Sequence, residues 1–180
     1  MSAPKVPQIW LCNNMLRDKN LVPLSRQHQH ALAMCVRIDR ALQAGDIDCA
    51  PWQAEIAQLW EQEVSVHFAA EETFVFAAAV RFDELRQLVS ELIEDHRELR
   101  AFVERAADRR LDTDSLREFG QKLSQHIRKE ERQLFESLQK LLSAEEFARL
   151  GTELQSALAG TAEACLMPTE ATRLRPANSK

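Results

Sequence analysis

The sequence predicts an all-α protein: an up-down-up-down four-helix bundle with an N-terminal arm and a short C-terminal fifth helix. Three observations support this fold class. The 180 residues include only 4 glycines and 6 prolines, too few for the many turns of a β-sandwich or barrel. Hydrophobic residues make up 45% of the chain, enough for one sizeable core. In long stretches they recur at steps of three and four residues, the spacing of amphipathic helices joined by short connectors.

The predicted organisation is one bundle with an addition at each end. Residues 1–24 form the arm, because they contain three prolines and show no sustained period. The bundle spans 25–142, a short accessory helix spans 143–159, and a flexible tail spans 160–180. A chain of this length supplies one core and argues against a second full domain.

Individual residues mark where the helices begin and end. Ser25 is expected to be the N-cap of the first helix, which Gly45 closes. Pro51 suits the first turn of the second helix. Ser143 and Glu146 form a capping box for the accessory helix. The four helices of the bundle are expected at about 25–42, 51–79, 83–107 and 115–142.

Charge and cysteine content exclude several classes of function. The net charge of −5 provides no basic field to attract nucleic acid or an anionic membrane. The longest uninterrupted apolar run, residues 74–80, is too short to span a bilayer. No nucleotide-binding or serine-hydrolase motif occurs. The four cysteines are far apart, with no C-x-x-C, and are expected to be free thiols in a reducing cytoplasm: Cys12, Cys35, Cys49 and Cys165.

Three of the predicted helices carry a histidine on their apolar stripe. The second helix has His67 followed by Glu71, the third has His96, and the fourth has His126 followed by Glu130. These positions continue the three- and four-residue steps of the neighbouring apolar residues. At 100° per residue they therefore lie on the face that the helix buries.

The first helix contains two histidines, and they point in different directions. His28 falls on the same face as Leu24 and Ala31, so it is the core histidine. His30 lies at the edge of that face or outside it. The sequence leaves open whether His30 supports a ligand, is an extra ligand, or faces solvent.

These buried groups together favour a metal site over a set of separate core histidines. A single buried histidine is usually a hydrogen-bonded core residue, and a lone H-x-x-x-E pair is common on helices. Four imidazoles and two carboxylates in one core are costly to bury without a metal. The nitrogen and oxygen ligand set suits iron, manganese or zinc and excludes iron–sulfur clusters. By symmetry, His28 and His67 would hold one ion, His96 and His126 the other, and Glu71 and Glu130 would bridge them.

The pattern of these motifs resembles the hemerythrin-like, or HHE cation-binding, domains. The resemblance is carried by LSRQHQHAL, HFAAEETFVF, LIEDHRELR and HIRKEERQLF, over roughly residues 24–142. It implies a four-helix bundle with a non-haem, carboxylate-bridged centre of two iron ions. The chain departs from the oxygen-carrying members, which have a second histidine on the third helix where this chain has Leu92 and Arg100. The resemblance assigns the ligand role to the same six residues: His28, His67, Glu71, His96, His126 and Glu130.

Three functions remain open at this stage. The first is a binding protein, in which the di-iron centre takes O2, NO or iron itself for sensing, storage or a stress response. The second is a di-iron oxidoreductase that turns over peroxide or NO, or oxidises Fe(II). The third is a structural or regulatory bundle that holds zinc or manganese. The protein is expected to be a monomer or homodimer, with Glu72, Glu131 and Arg132 facing solvent and Cys35 packed in the core.

Overall fold

The computed structural model describes residues 17–45, 47–161, 168–169 and 171–173. Across these residues it contains helices and connectors and no strand, which confirms the all-α prediction. None of the helices in the described part of the chain is long and apolar enough to cross a membrane. Most of the predicted arm and much of the predicted tail lie outside the described residues, and so do Cys12 and Cys165.

Helix α1, Val22–Ala44, begins three residues earlier than predicted. Ser25 is not its N-cap: Leu21 occupies that position and provides no side-chain cap. Pro23 explains the difference, because its fixed backbone angle suits the first turn of a helix. Gly45 ends the helix as predicted, with a φ of 101° that a side chain would disfavour.

Helix α2 covers residues 49–79 and changes its winding twice. It is α-helical over Cys49–Leu59, Ser65–Ala70 and Phe76–Ala79. Between these parts, Trp60–Val64 and Glu71–Val75 are π-helical turns, in which the backbone bonds five residues back. The Asp48 side chain caps the first turn, and Pro51 lies within that turn as predicted.

The remaining helices agree closely with the prediction. Helix α3, Arg86–Ala107, follows a 3-10 turn at Asp83–Leu85. Helix α4 covers residues 113–141, capped by Asp112, and contains the π turn Glu130–Leu134. Helix α5, Ala144–Leu158, begins with the predicted capping box of Ser143 and Glu146.

The apolar core consists of two clusters with a polar layer between them. Helix α1 packs along α4, α2 along α3, and α3 against α4, while α5 lies across α2 and α1. On α1, Leu24 belongs to one cluster and Ala31 to the other, with His28 between them. On α4, Leu134 and Ile127 likewise fall in different clusters. The buried histidines and glutamates therefore form one layer across the middle of the bundle.

Part of the predicted flexible tail contacts the bundle. Thr172 is only 1% exposed, and its carbonyl accepts a hydrogen bond of 3.1 Å from the Arg37 guanidinium. The same guanidinium forms a buried ion pair with Glu55 of α2. This short segment of the predicted tail therefore packs against the bundle, because a backbone carbonyl completes the contacts of a buried cation.

Candidate metal centre

All six predicted ligand residues meet in the polar layer, and each is at most 3% exposed. They form two groups of four that share the two glutamates. Within each group, the possible ligand atoms lie within 4.8 Å of one another. The first group is His28, His67, Glu71 and Glu130, and the second is His96, His126, Glu71 and Glu130.

The histidines face one another in pairs. The Nε2 atoms of His28 and His67 are 3.0 Å apart, and those of His96 and His126 are 3.2 Å apart. Two neighbouring nitrogen ligands at a right angle on one ion also lie about 3 Å apart, since metal–nitrogen bonds are about 2.1 Å long. The pairing is the one that the sequence predicts for two separate ions.

Glu71 lies between the two histidine pairs. Its Oε1 atom is 3.1 Å from Nε2 of His67 and 3.6 Å from Nε2 of His28. Its Oε2 atom is 3.5 Å from Nε2 of His96. Glu71 is also the first residue of a π turn, a local geometry that is frequent at functional sites.

Glu130 occupies the corresponding place on α4. Its Oε2 atom is 3.2 Å from Nε2 of both His28 and His126, and its Oε1 atom is 4.0 Å from Nε2 of His96. Glu130 also begins a π turn. The two H-x-x-x-E motifs therefore have the same local backbone, and each directs its carboxylate toward both pairs.

The carboxylate oxygens show that the donor set suits a cation. All four oxygens of Glu71 and Glu130 are buried and have no hydrogen-bond partner among the residues that the structure describes. Burying a carboxylate without a hydrogen-bond partner is unfavourable in free energy, and coordination to a metal is one of the few interactions that can compensate for it. Four inward imidazole nitrogens accompany these oxygens, and together they form the nitrogen and oxygen set that iron, manganese and zinc accept.

The outward nitrogens of two histidines bond to glutamates that we expected to face solvent. Nδ1 of His28 lies 2.7 Å from Oε1 of Glu131, and Nδ1 of His96 lies 2.7 Å from Oε1 of Glu72. The expectation for these two glutamates is therefore wrong, whereas Arg132 is exposed as predicted. A carboxylate at Nδ1 fixes the imidazole orientation and leaves Nε2 free to bind a metal.

The other two histidines have partners that no motif marked. Nδ1 of His67 lies 2.8 Å from Oε1 of Gln27. Nδ1 of His126 lies 3.7 Å from Oδ2 of Asp95, within ion-pair range but beyond a hydrogen bond. Lys129 contacts the same Asp95 oxygen at 2.5 Å.

The four side chains that face the Nδ1 atoms of these histidines, here called the supporting side chains, form a closed ring around the bundle. Each helix supplies the partner of a histidine on the next helix, and α4 returns to α1. Each partner is also adjacent in sequence to a ligand residue, a signal that could have identified it. The pairs are Gln27 with His67, Glu72 with His96, Asp95 with His126, and Glu131 with His28.

The electrostatics of the centre favour the charged forms of His28 and His126 beside charged carboxylates when no metal is bound. Burial disfavours the charged form of His28, but the adjacent carboxylates of Glu130, Glu131 and Glu71 outweigh it and raise the pKa of His28 well above 6.5. Burial is likewise outweighed at His126, whose pKa is raised to about 9. The pKa values of both shared carboxylates stay below 4.5, because the imidazoles outweigh burial. A metal that binds Nε2 must therefore displace protons.

A small cavity lies beside the first group of ligands. Its volume is about 10 Å³, room for about one water-sized molecule. His28, His67 and His126 line it, together with mainly apolar side chains such as Phe68. The buried residue Glu63 also lines the cavity.

His30 lies outside both ligand groups. Its Nδ1 atom is 3.0 Å from Oε2 of Glu63, and its side chain is 42% exposed. The structure therefore places His30 at the surface as the partner of a buried carboxylate that the sequence did not single out. Glu63 is 1% exposed and lies in the first π turn of α2.

Comparison with known proteins agrees with this geometry. The family model described as the hemerythrin HHE cation-binding domain matches residues 22–138, well over half of the chain. All six residues of the two groups fall within the matched segment. No curated protein and no solved structure gives a significant match.

Proposed function

The chain belongs to the hemerythrin HHE cation-binding domain family, and from this premise we propose that its core holds two iron ions. His28 and His67 would bind one ion, and His96 and His126 the other. Glu71 and Glu130 would bridge the two ions. The observation that carries this proposal is the pair of four-residue groups that share two carboxylates, whose oxygens have no hydrogen-bond partner in the described part of the chain.

This ligand set leaves each ion incompletely coordinated. Each position receives two imidazole nitrogens and two carboxylate oxygens from the protein, whereas iron commonly takes six ligands. Bound iron would supply a redox-active Lewis acid with an exchangeable position. Zinc or manganese would fit the same donors, so the identity of the metal is part of the test.

We propose that the exchangeable position takes O2 or NO. The cavity of about 10 Å³ has room for about one water-sized molecule, which suits a small ligand such as O2 or NO better than an organic substrate. Its lining is mainly apolar, which suits a neutral gas. A protein that binds such a gas or exchanges its iron would serve in sensing, storage or a stress response. The free thiols of Cys35 and Cys49 support a cytoplasmic location.

A second function is favoured by one specific observation. Glu63 is a buried acidic residue that lines the cavity, and its carboxyl group could accept or donate a proton near the centre. Such a group supports a di-iron oxidoreductase that acts on peroxide or NO. If this function is correct, Glu63→Gln will retain the metal but lose most of the turnover.

The test is the metal content of protein purified without chelator or added metal, with a visible spectrum before and after exposure to air or NO. We expect about two irons per chain and a near-ultraviolet band that responds to the gas. His67→Ala and Glu130→Ala should each lose metal and lower the Tm. His30→Gln is the matched control and should retain wild-type metal content. Wild-type metal content in both ligand variants, or a colourless zinc protein, would overturn the di-iron proposal.

A further inference from the structure

The cavity of about 10 Å³ beside the first ligand group, here called the first cavity, has a larger neighbour. This second cavity has a volume of about 20 Å³. Ten residues line it and come from all four helices of the bundle, including Met34 of α1, Leu99 of α3 and Phe119 of α4. The second cavity therefore lies inside the bundle, within the apolar cluster that contains Ala31.

The second cavity has an apolar lining. Every lining side chain that the structure describes is aliphatic, aromatic or a thioether, and the indole N–H of Trp60 is the one hydrogen-bond donor among them. A buried water typically forms about three hydrogen bonds to polar groups, so this lining holds water poorly. A neutral apolar molecule needs no such partners, and dry apolar cavities bind apolar gases. The lining therefore favours a small neutral ligand.

Only one layer of side chains separates the two cavities. Val64, Phe68 and Leu123 line both of them. The Phe68 ring stacks on the His96 ring with centroids 3.6 Å apart, and its centroid lies 5.7 Å from that of His126. A molecule in the second cavity is therefore one side chain away from the first cavity and from the imidazoles of the second ligand group.

The π turn Trp60–Val64 gives a physical reason for this space. Val64 borders both cavities, Glu63 borders the first, and Trp60 borders the second. A π turn inserts an extra residue into a helix and so changes the direction of the side chains around it. Packing is then less complete than in a close-packed core. Trp60 and Val64 are also partly exposed, so the turn borders solvent as well as both cavities.

We propose that the second cavity is a docking site for a neutral diatomic gas, O2 or NO. The gas enters beside the π turn and passes between Val64, Phe68 and Leu123 to the first cavity. Docking depends on the size and apolar lining of the cavity and requires no metal. The supply of gas to the metal centre, in contrast, rests on the proposed function.

The first experiment uses O2 itself as the probe. Full-length protein with 13C-labelled methyl groups is loaded with Zn2+, which is redox-silent, so that O2 acts only through its paramagnetism. Methyl relaxation rates are compared under O2 and under N2 at the same pressure. We expect the largest increases at Ile56, Leu99 and Val103, which line the second cavity. Leu138 and Leu154, which are fully buried in the other apolar cluster, should show small increases.

Substitutions change the size of the second cavity in both directions. Val103→Leu adds a methylene group to the lining, so the relaxation increase at Leu99 should fall about tenfold, which corresponds to about 1.4 kcal/mol. Ile56→Val removes a methylene group and should raise the increase at Leu99, which keeps the test decisive if Val103→Leu fails to fold. Val66→Leu adds the same group at an exposed site on α2 and is the matched control, with a wild-type relaxation pattern.

The second experiment tests the passage from the second cavity to the metal centre. NO association and release are followed by stopped-flow absorbance in the iron-loaded protein. Val103→Leu should slow both rates by the same factor and leave the Kd for NO unchanged, because the second cavity lies on the path to the metal and not at the metal. Ile56→Val should accelerate both rates, and Val66→Leu should retain the wild-type values.

The outcomes separate this inference from the proposed function. If the relaxation increases around the second cavity are no larger than at Leu138 in the wild type, gas does not dock there and the inference is wrong. Wild-type NO rates in a folded Val103→Leu variant that has lost the O2 effect would show that the second cavity is not on the path to the metal. If O2 docks as expected but the iron-loaded protein binds no gas, the docking site stands and the proposed function fails.

Discussion

Glu131 offers the most direct test of how the surrounding protein controls metal affinity. Its carboxylate lies 2.7 Å from Nδ1 of His28 and accepts a hydrogen bond of 2.7 Å from the Ser25 hydroxyl. Arg17 forms an ion pair with its other oxygen at 2.6 Å. Burial opposes ionisation, but His28 and the other partners lower the pKa of Glu131 to about 2. The substitution Glu131→Gln keeps an acceptor at the same place and removes only the charge.

The expected change in stability follows from the thermodynamic linkage between metal binding and folding. Loss of a partner behind a metal-ligating histidine typically costs about 10- to 100-fold in affinity. With metal in excess, this reduces the metal-dependent stabilisation by about 1.4–2.7 kcal/mol. For a chain of this size, about 1 kcal/mol shifts the Tm by about 2–4 °C. The rise in Tm on adding metal should therefore be about 3–10 °C smaller in Glu131→Gln than in the wild type.

The assay is thermal unfolding followed by circular dichroism, with and without excess Zn2+, for both proteins. The difference between the two conditions isolates the metal, because any direct loss from the Arg17 ion pair appears equally in both. Glu118→Gln on the same helix is the matched control and should behave as the wild type. An equal metal-induced rise in Glu131→Gln and wild type would refute a role for this carboxylate in metal affinity.

Three further predictions concern stability. Glu55→Ala leaves the Arg37 guanidinium buried without its carboxylate and should lower the free energy of unfolding by about 3–5 kcal/mol in urea titrations; a loss below about 1 kcal/mol would contradict the importance of this pair. In metal-free protein the pKa of His126 is raised from 6.5 to about 9, so its contribution to stability is fully present below pH 6.5 and is lost as pH rises through 9. Urea unfolding at pH 6, 7.5 and 9 should show this decline, and a flat profile would argue against a charged imidazole. Gly151→Ala places a Cβ against the Asn20 side chain and should lower the Tm, whereas the double variant with Asn20→Gly, which removes that side chain, should recover most of the loss.

The helices could be predicted because their signals are local. Amphipathic spacing and capping residues act within a few residues of one another, so the four long helices and the capping box of α5 follow from short segments. The start of α1 was misplaced because two local signals compete there. Pro23 in the first turn prevailed over Ser25 as a cap, and the Ser25 hydroxyl instead donates to Glu131 on a distant helix.

The six residues that meet in the core, which we propose as metal ligands, were also predictable, although from a coincidence of separate patterns. Each histidine lies on an apolar stripe, and several ionisable groups can be buried in one core only if they contact one another. That argument identifies which residues come together, and it requires no measured distance. It also predicts the division into two pairs, because each H-x-x-x-E motif has an inward histidine on the preceding helix.

The sequence by itself therefore determined the helices, the buried faces and the set of groups that meet in the core. The tertiary structure alone decided which side chains support the histidines. Glu72 and Glu131 follow ligand residues in π turns, where an α-helical projection no longer gives the direction of a side chain. Gln27 and Asp95 lie at helix flanks, and only the packing of neighbouring helices determines whether a flank meets solvent or a ring nitrogen. The sequence specifies the chemical type of each side chain, but the partner of that side chain depends on how the helices are rotated relative to one another.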